Sequence, residues 1–313
     1  MLTDALSIFR STLMRAFRNA ATRNATALKP NSPHRIRFSN LQPLLACFLI
    51  ATGFTVFTPV ACAVHETTTR QHSEEDLPAI SIIIDDIGYT HERDKRAILL
   101  PGAVNYAILP HTPYSVEFAL LAHKLGKEVL LHQPMESLDA QEQIHLGPGA
   151  LKLDMDRQAF IHTFQDNLRS IPYAIGINNH MGSLLTQHPG HMAWLMEAIS
   201  HNTNLFFVDS YTTAGSVVQQ IANENWVLNI RRDVFLDHYQ DLGHIKRQFD
   251  LLLHTASKNG IALGIAHPYP ETLQVLEQQL PSLRKKGYRL LPISRLLQTH
   301  TQRFKTWRAF LSP

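Results

Sequence analysis

The chain has 313 residues, of which 44% are hydrophobic and 18% charged, so it can bury a sizeable core and is not a disordered polymer. The net charge of +3 is small and lies partly in the first forty residues, so it argues little for nucleic-acid binding. Both cysteines, Cys47 and Cys62, sit in or beside one apolar N-terminal run, so a metal site elsewhere must use His, Asp, Glu or water.

Residues 1–40 are polar and basic, with Arg10, Arg15, Arg18, Arg23, Lys29, Arg35 and Arg37. Leu41 to Val64 is then apolar and nearly uncharged, ending in Ala61-Cys62-Ala63. A positive region, an apolar core and a small-residue site have the layout of a secretory signal; left uncleaved, the same run is long enough to anchor the chain in an inner membrane. Either way the expected location is exported, periplasmic or membrane-anchored and facing the periplasm, with membrane contact through residues 41–64 only if they are retained. Residues 65–77 (HETTTRQHSEEDL) lack periodicity and read as a linker.

From residue 78 to 298 short apolar runs alternate with helical patterns. The expected strands are Ala79–Ile84, Ala103–Leu109, Glu128–His132, Ala174–Asn178, Leu205–Val208, Trp226–Ile230, Ile261–Ala266 and Tyr288–Leu291. Between most of them lie helices: Ser115–Lys127, Asp156–Ser170 with a capping aspartate, His191–His201, Leu242–Asn259 stopped by Gly260, and Glu271–Lys286 kinked at Pro281. Seven or eight such units point to an α/β domain with a parallel sheet, closed as a barrel or open and doubly wound. Residues 299–313 form a basic tail carrying aromatics, either packed on the domain or touching a membrane surface.

In parallel α/β folds chemistry gathers where strands end. Here those points carry Asp85-Asp86, His132 with Glu136, Asn178-Asn179-His180 with Ser183, Asp209, Arg231-Arg232 and His267. Singly each has an ordinary reading: an aspartate after a strand caps a helix, a histidine fills a core or bonds a turn. Jointly they suggest a site, because adjacent carboxylates at a buried rim call for a cation or a shared proton. Two imidazoles and a carboxylate with open positions form a hydrolytic metal set. His188 and His191, at a helix start, read as surface residues, as do the remaining histidines.

The segments IIIDDIG, LLHQPME, GINNHMGS, FFVDSYT, RRDVFLD and GIAHPYPET, in this order, resemble the divergent polysaccharide deacetylases over about residues 78–298. The resemblance implies a distorted (β/α) barrel of seven or eight parallel strands, NodB-like, that removes acetyl groups from cell-envelope polysaccharide or peptidoglycan-type glycan with a divalent ion, usually Zn²⁺. It implies Asp85 as base, Asp86 as ligand and His267 as general acid. The superfamily supplies two histidines four apart on one loop, but Glu136 stands at that spacing from His132. The second histidine ligand therefore falls to His180 on the next strand. Asp209 is expected to orient His267 or His180; Asn178, Asn179 and Ser183 to meet sugar hydroxyls; Arg231 and Arg232 to bind a carboxylate or steer Asp85. Three other classes stay open: a degenerate barrel that binds glycan or a partner, a two-metal phosphodiester hydrolase with Glu136 and Asp209 on the second ion, and a structural envelope protein.

Overall fold

A computed structural model describes residues 77–202 and 205–311, with side chains of the final helix through Gln302. The leader and nearly all of the linker lie outside the described residues. The strands are β1 Ala79–Ile87, β2 Asn105–Ile108, β3 Val129–Met135, β4 Ala174–Met181, β5 Phe206–Asp209, β6 Asn229–Arg231, β7 Val234–Phe235, β8 Ile261–Ala266 and β9 Arg289–Leu290. The helices are α1 His91–Ile98, α2 Ser115–Lys124, α3 Ala140–Gln143, α4 Arg157–Ser170, α5 Pro189–Ser200, α6 Val218–Glu224, α7 Leu242–Asn259, α8 Pro270–Gln279 and α9 Ile293–Leu311. Three of these helices, α1, α3 and α6, and the two-residue strand β7 are too short for periodicity to reveal. α9 runs unbroken past residue 298, so the expected tail begins inside a helix.

The local rules act where the sequence placed them. Asp156 caps α4 by accepting from Ala159 N, and Asp241 caps α7 by accepting from His244 N. Gly260 ends α7 in the left-handed region at φ 81°. Pro281 breaks the expected long helix, which continues after Gln279 as a 3₁₀ turn.

All ladder pairs are parallel, in the order β6-β5-β4-β3-β2-β1-β8-β7, with β9 also on β1. No ladder joins β6 to β7. Instead Arg232 N reaches Asp209 O and Asp233 N reaches Leu263 O, so a two-residue connector bridges the gap in the curled sheet. This is the expected distorted barrel.

Strand parity sorts the side chains. Ala79, Ile83, Leu130, Phe206, Val208, Ile261, Leu263 and Ile265 point to the inside, where Ile293, Leu296 and Leu297 of α9 plug the lower end. Ile82, Ile84, Leu131, Ile177 and Phe207 point outward under the helices. Gly176 on β4 leaves room for the Phe206 ring, which would lie 2.3 Å from a Cβ there.

Candidate metal centre

The inner parity, continued past the hydrophobic layer, delivers the site. Counting in twos from Ile83, Leu130 and Ile265 reaches Asp85, His132 and His267, all at the upper rim of the barrel. β3 and β4 pair His132 with Asn178, so Asn178 lies beside His132 and His180 stands one step further on the same face. Asp86 breaks the alternation. It takes φ 58°, and the β1–β2 register shifts between Ile84 and Ile87, so its carboxylate joins Asp85 on the inside. Strand parity alone would have sent the two carboxylates to opposite faces.

Three atoms then converge. Asp86 Oδ1 lies 2.8 Å from His180 Nδ1 and 3.1 Å from His132 Nε2, and the two ring nitrogens are 3.1 Å apart. Close as it is, Asp86 Oδ1 is buried and receives no hydrogen bond of good geometry from either ring. An oxygen left without a donor beside two imidazole nitrogens fits a cation. Donors at this mutual spacing can share a point about 2 Å from each, the Zn–N and Zn–O distance. Among the described residues this is the one trio of His, Cys, Asp or Glu so arranged.

Asn178 wires the trio to the base. Its Nδ2 donates to Asp85 Oδ1 at 2.8 Å, which fixes its Oδ1 as the acceptor facing His132 Nδ1 at 2.9 Å. His132 must therefore carry its proton on Nδ1, leaving the Nε2 lone pair toward Asp86 and His180. Both neighbours are deeply buried, His132 at 1% exposure and Asp85 at 3%. Burial pushes the Asp85 carboxyl up, against the pull of His132 and His267. Burial would also raise Asp86, but His180, His132 and His267 outweigh it and hold that carboxyl well below its ordinary value. Burial disfavours a charged His132, yet Asp85 and Asp86 raise it.

His267 completes the rim, with Nε2 3.7 Å from Asp86 Oδ2. Its orienting carboxylate is Asp237 rather than Asp209. Asp237 Oδ1 lies 3.0 Å from His267 Nδ1, while Oδ2 accepts from His267 N at 2.6 Å and Thr272 Oγ1 at 2.8 Å. Against the opposing effect of burial, Asp237, Asp86 and Asp85 push the His267 imidazole up to about 9. Parity explains the correction. Phe235 points inward, so Asp237 does too, whereas Val208 points inward and Asp209 therefore outward. There Asp209 holds its own loop through Tyr211 N and Ser216 Oγ. Asp237 closes the segment RRDVFLD, so its type and place were visible in the sequence; β7, which sets its direction, was not.

Other expected substrate contacts turn inward on the protein. Asn179 bonds to Met181 O and Ser210 N, and Asn178 to Asp85, His132 and Ser210. Asn178 is thus fully used, whereas Asn179, which lines the cleft, keeps one amide hydrogen. Ser183 lines the cleft but pairs with Ser137 Oγ and Leu138 N. Glu136, past the end of β3, accepts from Leu153 N and pins that loop. Arg231 stacks on Tyr211 from an exposed position. Arg232 faces the cleft, anchored by Ser210 O and Tyr211 O. His191 is buried against Phe160 and Trp194, not a surface residue, because α5 presses its first turn into the helix layer.

Above the trio opens a cleft of about 580 Å³, walled on its apolar side by Leu138, Tyr211, Phe235 and Tyr269. The sequence profile described as divergent polysaccharide deacetylase matches residues 82–297. The uncharacterized protein YibQ of Escherichia coli (strain K12) is 36% identical over 204 residues, 65% of this chain and 63% of YibQ. An uncharacterized protein of Haemophilus influenzae is also 36% identical, over 208 residues, 65% of this chain and 71% of that protein. The match thus spans less than two thirds of YibQ. The crystal structure of the uncharacterized protein ATU2773 from Agrobacterium tumefaciens C58 shares the fold, with a TM-score of 0.67, 22% identity, and coverage of 70% of this chain and 89% of that one. By the span of the profile match, the chain belongs to the divergent polysaccharide deacetylase family.

Proposed function

We propose that this chain is a metal-dependent carbohydrate deacetylase acting on N- or O-acetyl groups of a cell-envelope polysaccharide. The carrying observation is the Asp86–His132–His180 triangle, flanked by Asp85 on one side and His267 on the other. Asp86, His132 and His180 would hold a divalent ion, zinc first among the candidates. Such an ion supplies Lewis acidity, acidifying a water and polarising the acetyl carbonyl.

The protein groups do the rest. Asp85, 3.7 Å from His132 Nε2, accepts the proton of the attacking water as its oxygen bonds to the acetyl carbon. Asn178 holds Asp85 in place for this. His267, whose Nδ1 faces the Asp237 carboxylate at 3.0 Å, donates a proton to the leaving nitrogen or oxygen as the C–N or C–O bond breaks. The products are acetate and a free amine or hydroxyl. Leu138, Tyr211, Phe235 and Tyr269 offer flat apolar surface to sugar rings. The two-metal phosphodiesterase reading loses support, since Glu136 and Asp209 are both committed to backbone donors away from the trio.

The test is acetate release from acetylated chito-oligosaccharides and from peptidoglycan by the zinc-loaded full chain. Asp85→Asn should bind zinc normally and release no acetate. Metal-loaded wild type that frees no acetate from either polymer would overturn catalysis and leave a glycan-binding barrel. We further propose, from the basic and apolar leader, that the domain works outside the cytoplasm.

A further inference from the structure

The pole of the barrel opposite the cleft is where most strands begin and where the helices that precede them end. Four of its connections present a large apolar residue to solvent: Leu99 before β2, Leu125 before β3, Tyr173 before β4, and Trp226 with Leu228 before β6. β2, β3 and β4 are neighbours in the sheet order and β6 lies beyond β5, so the residues form a row interrupted at β5. Trp226 is the extreme case. It is 94% exposed and takes φ 60°, two residues after the end of α6. That is the helix-terminating position where glycine is favoured because a Cβ is strained there. An indole that is both strained and bare to water has no packing reason to be present. Tyr173 also has positive φ, but its ring stacks on His123 at 3.6 Å, which accounts for it.

The same pole carries several lysines, beside the acidic Glu224 and Glu277 in the last turns of α6 and α8. Lys95, Lys124, Arg169 and Lys258 occupy last turns of helices, and Lys285-Lys286 precede β9. Complementing helix dipoles explains lysines in last turns but not the neighbouring apolar row. The chain also enters the domain from this side. Residue 77 enters β1 here, with Leu77 O held by Arg289 Nε, and the apolar run 41–64 lies only the linker upstream, a reach of about 45 Å when extended. α9 starts under the barrel at Asn105 and Glu128. As sequence, the segment after Gln302 holds Arg303, Lys305 and Arg308 among Phe304, Trp307 and Phe310. Basic residues interleaved with aromatics are what anionic lipid headgroups recognise.

We infer that this pole docks on an anionic phospholipid surface, with the Trp226 indole at the headgroup level, so that the catalytic cleft faces away from the bilayer. The orientation serves the envelope-glycan reading and rests on it for its purpose, but lipid contact is measured without any acetylated substrate. The full chain is reconstituted into vesicles of brominated phosphatidylglycerol and phosphatidylethanolamine. Tryptophan emission is read in a Trp194→Phe/Trp307→Phe variant, leaving Trp226, and in a Trp226→Phe/Trp307→Phe variant, leaving Trp194 on the flank of the domain. Trp226 emission should shift to the blue and lose at least half its intensity to bromine, while Trp194 emission stays unquenched. Replacing phosphatidylglycerol by phosphatidylcholine, or introducing Lys124→Glu/Lys285→Glu/Lys286→Glu, should cut the Trp226 quenching at least twofold. Vesicle-bound chain whose Trp226 is no more quenched than Trp194 would show tethering by the leader alone and overturn the proposal. Equal quenching in phosphatidylcholine would overturn recognition by charge. Acetate release by the same preparations reports separately on catalysis.

Discussion

Asn178→Ala removes the amide that joins His132 to Asp85. In the wild type His132 Nδ1 has Asn178 Oδ1 at 2.9 Å, and Asp85 Oδ1 has Asn178 Nδ2 at 2.8 Å. Both partners are almost fully buried, so the amide can be replaced only by a water entering the void from the cleft, with fewer and less directed hydrogen bonds. Each polar group left unsatisfied costs about 1–3 kcal/mol, so the metal-free fold should lose roughly 2–6 kcal/mol. The metal should suffer as well. Without Asn178 Oδ1 the His132 ring can carry its proton on Nε2 and turn its lone pair away from Asp86 and His180. Loss of such an orienting partner typically weakens metal binding about 10–100-fold, or roughly 1.4–2.8 kcal/mol. Competition for zinc against a chromophoric chelator measures the affinity, and urea unfolding of the metal-free chain measures the stability. Asn178→Asp provides the separation: it keeps an acceptor for His132 but sets a second carboxylate against Asp85. It should hold zinc within a few-fold of wild type and still lose deacetylation. Zinc affinity of Asn178→Ala within twofold of wild type would refute the wiring argument, whatever the change in stability.

Asp86→Ala and His180→Ala should each strip the bound divalent ion from the purified chain, read as metal per protein by elemental analysis; full retention in both would rule out the trio as the ligand set. Asp237→Asn should move the alkaline limb of the deacetylation profile toward neutral pH, because the charged acid His267 then loses the carboxylate that supports it. The same linkage acts on stability. The folded imidazole sits at about 9, above its ordinary 6.5, so its stabilising contribution is complete in acid and fades as pH climbs from about 6.5 through 9; Asp237→Asn should flatten that decline in thermal melts. Gly88→Ala should destabilise severely, because a Cβ there would lie 2.1 Å from Thr112 Oγ1 and the backbone holds φ 133°; melting within a few degrees of wild type would show that this turn can relax.

The alternation of apolar runs with helical periods was enough to read a parallel α/β sheet, the family resemblance added its closure into a distorted barrel, and the residue types at strand ends were enough to pick out Asp85, Asp86, His132, His180 and His267. Caps and stops at Asp156 and Gly260 were equally legible, since they depend on neighbours a few residues away. Tertiary structure decided the wiring. Which carboxylate orients His267 depends on β7, whose two residues show no period. Whether Asn178 meets a sugar or a histidine depends on the β3–β4 register, and whether Asp86 joins Asp85 depends on a backbone irregularity that strand parity does not contain. Likewise His191 is buried only because two helices close over it. Local order is set by near neighbours along the chain, while the direction of a side chain at a rim is set by strands tens of residues apart, and only their pairing makes that direction definite.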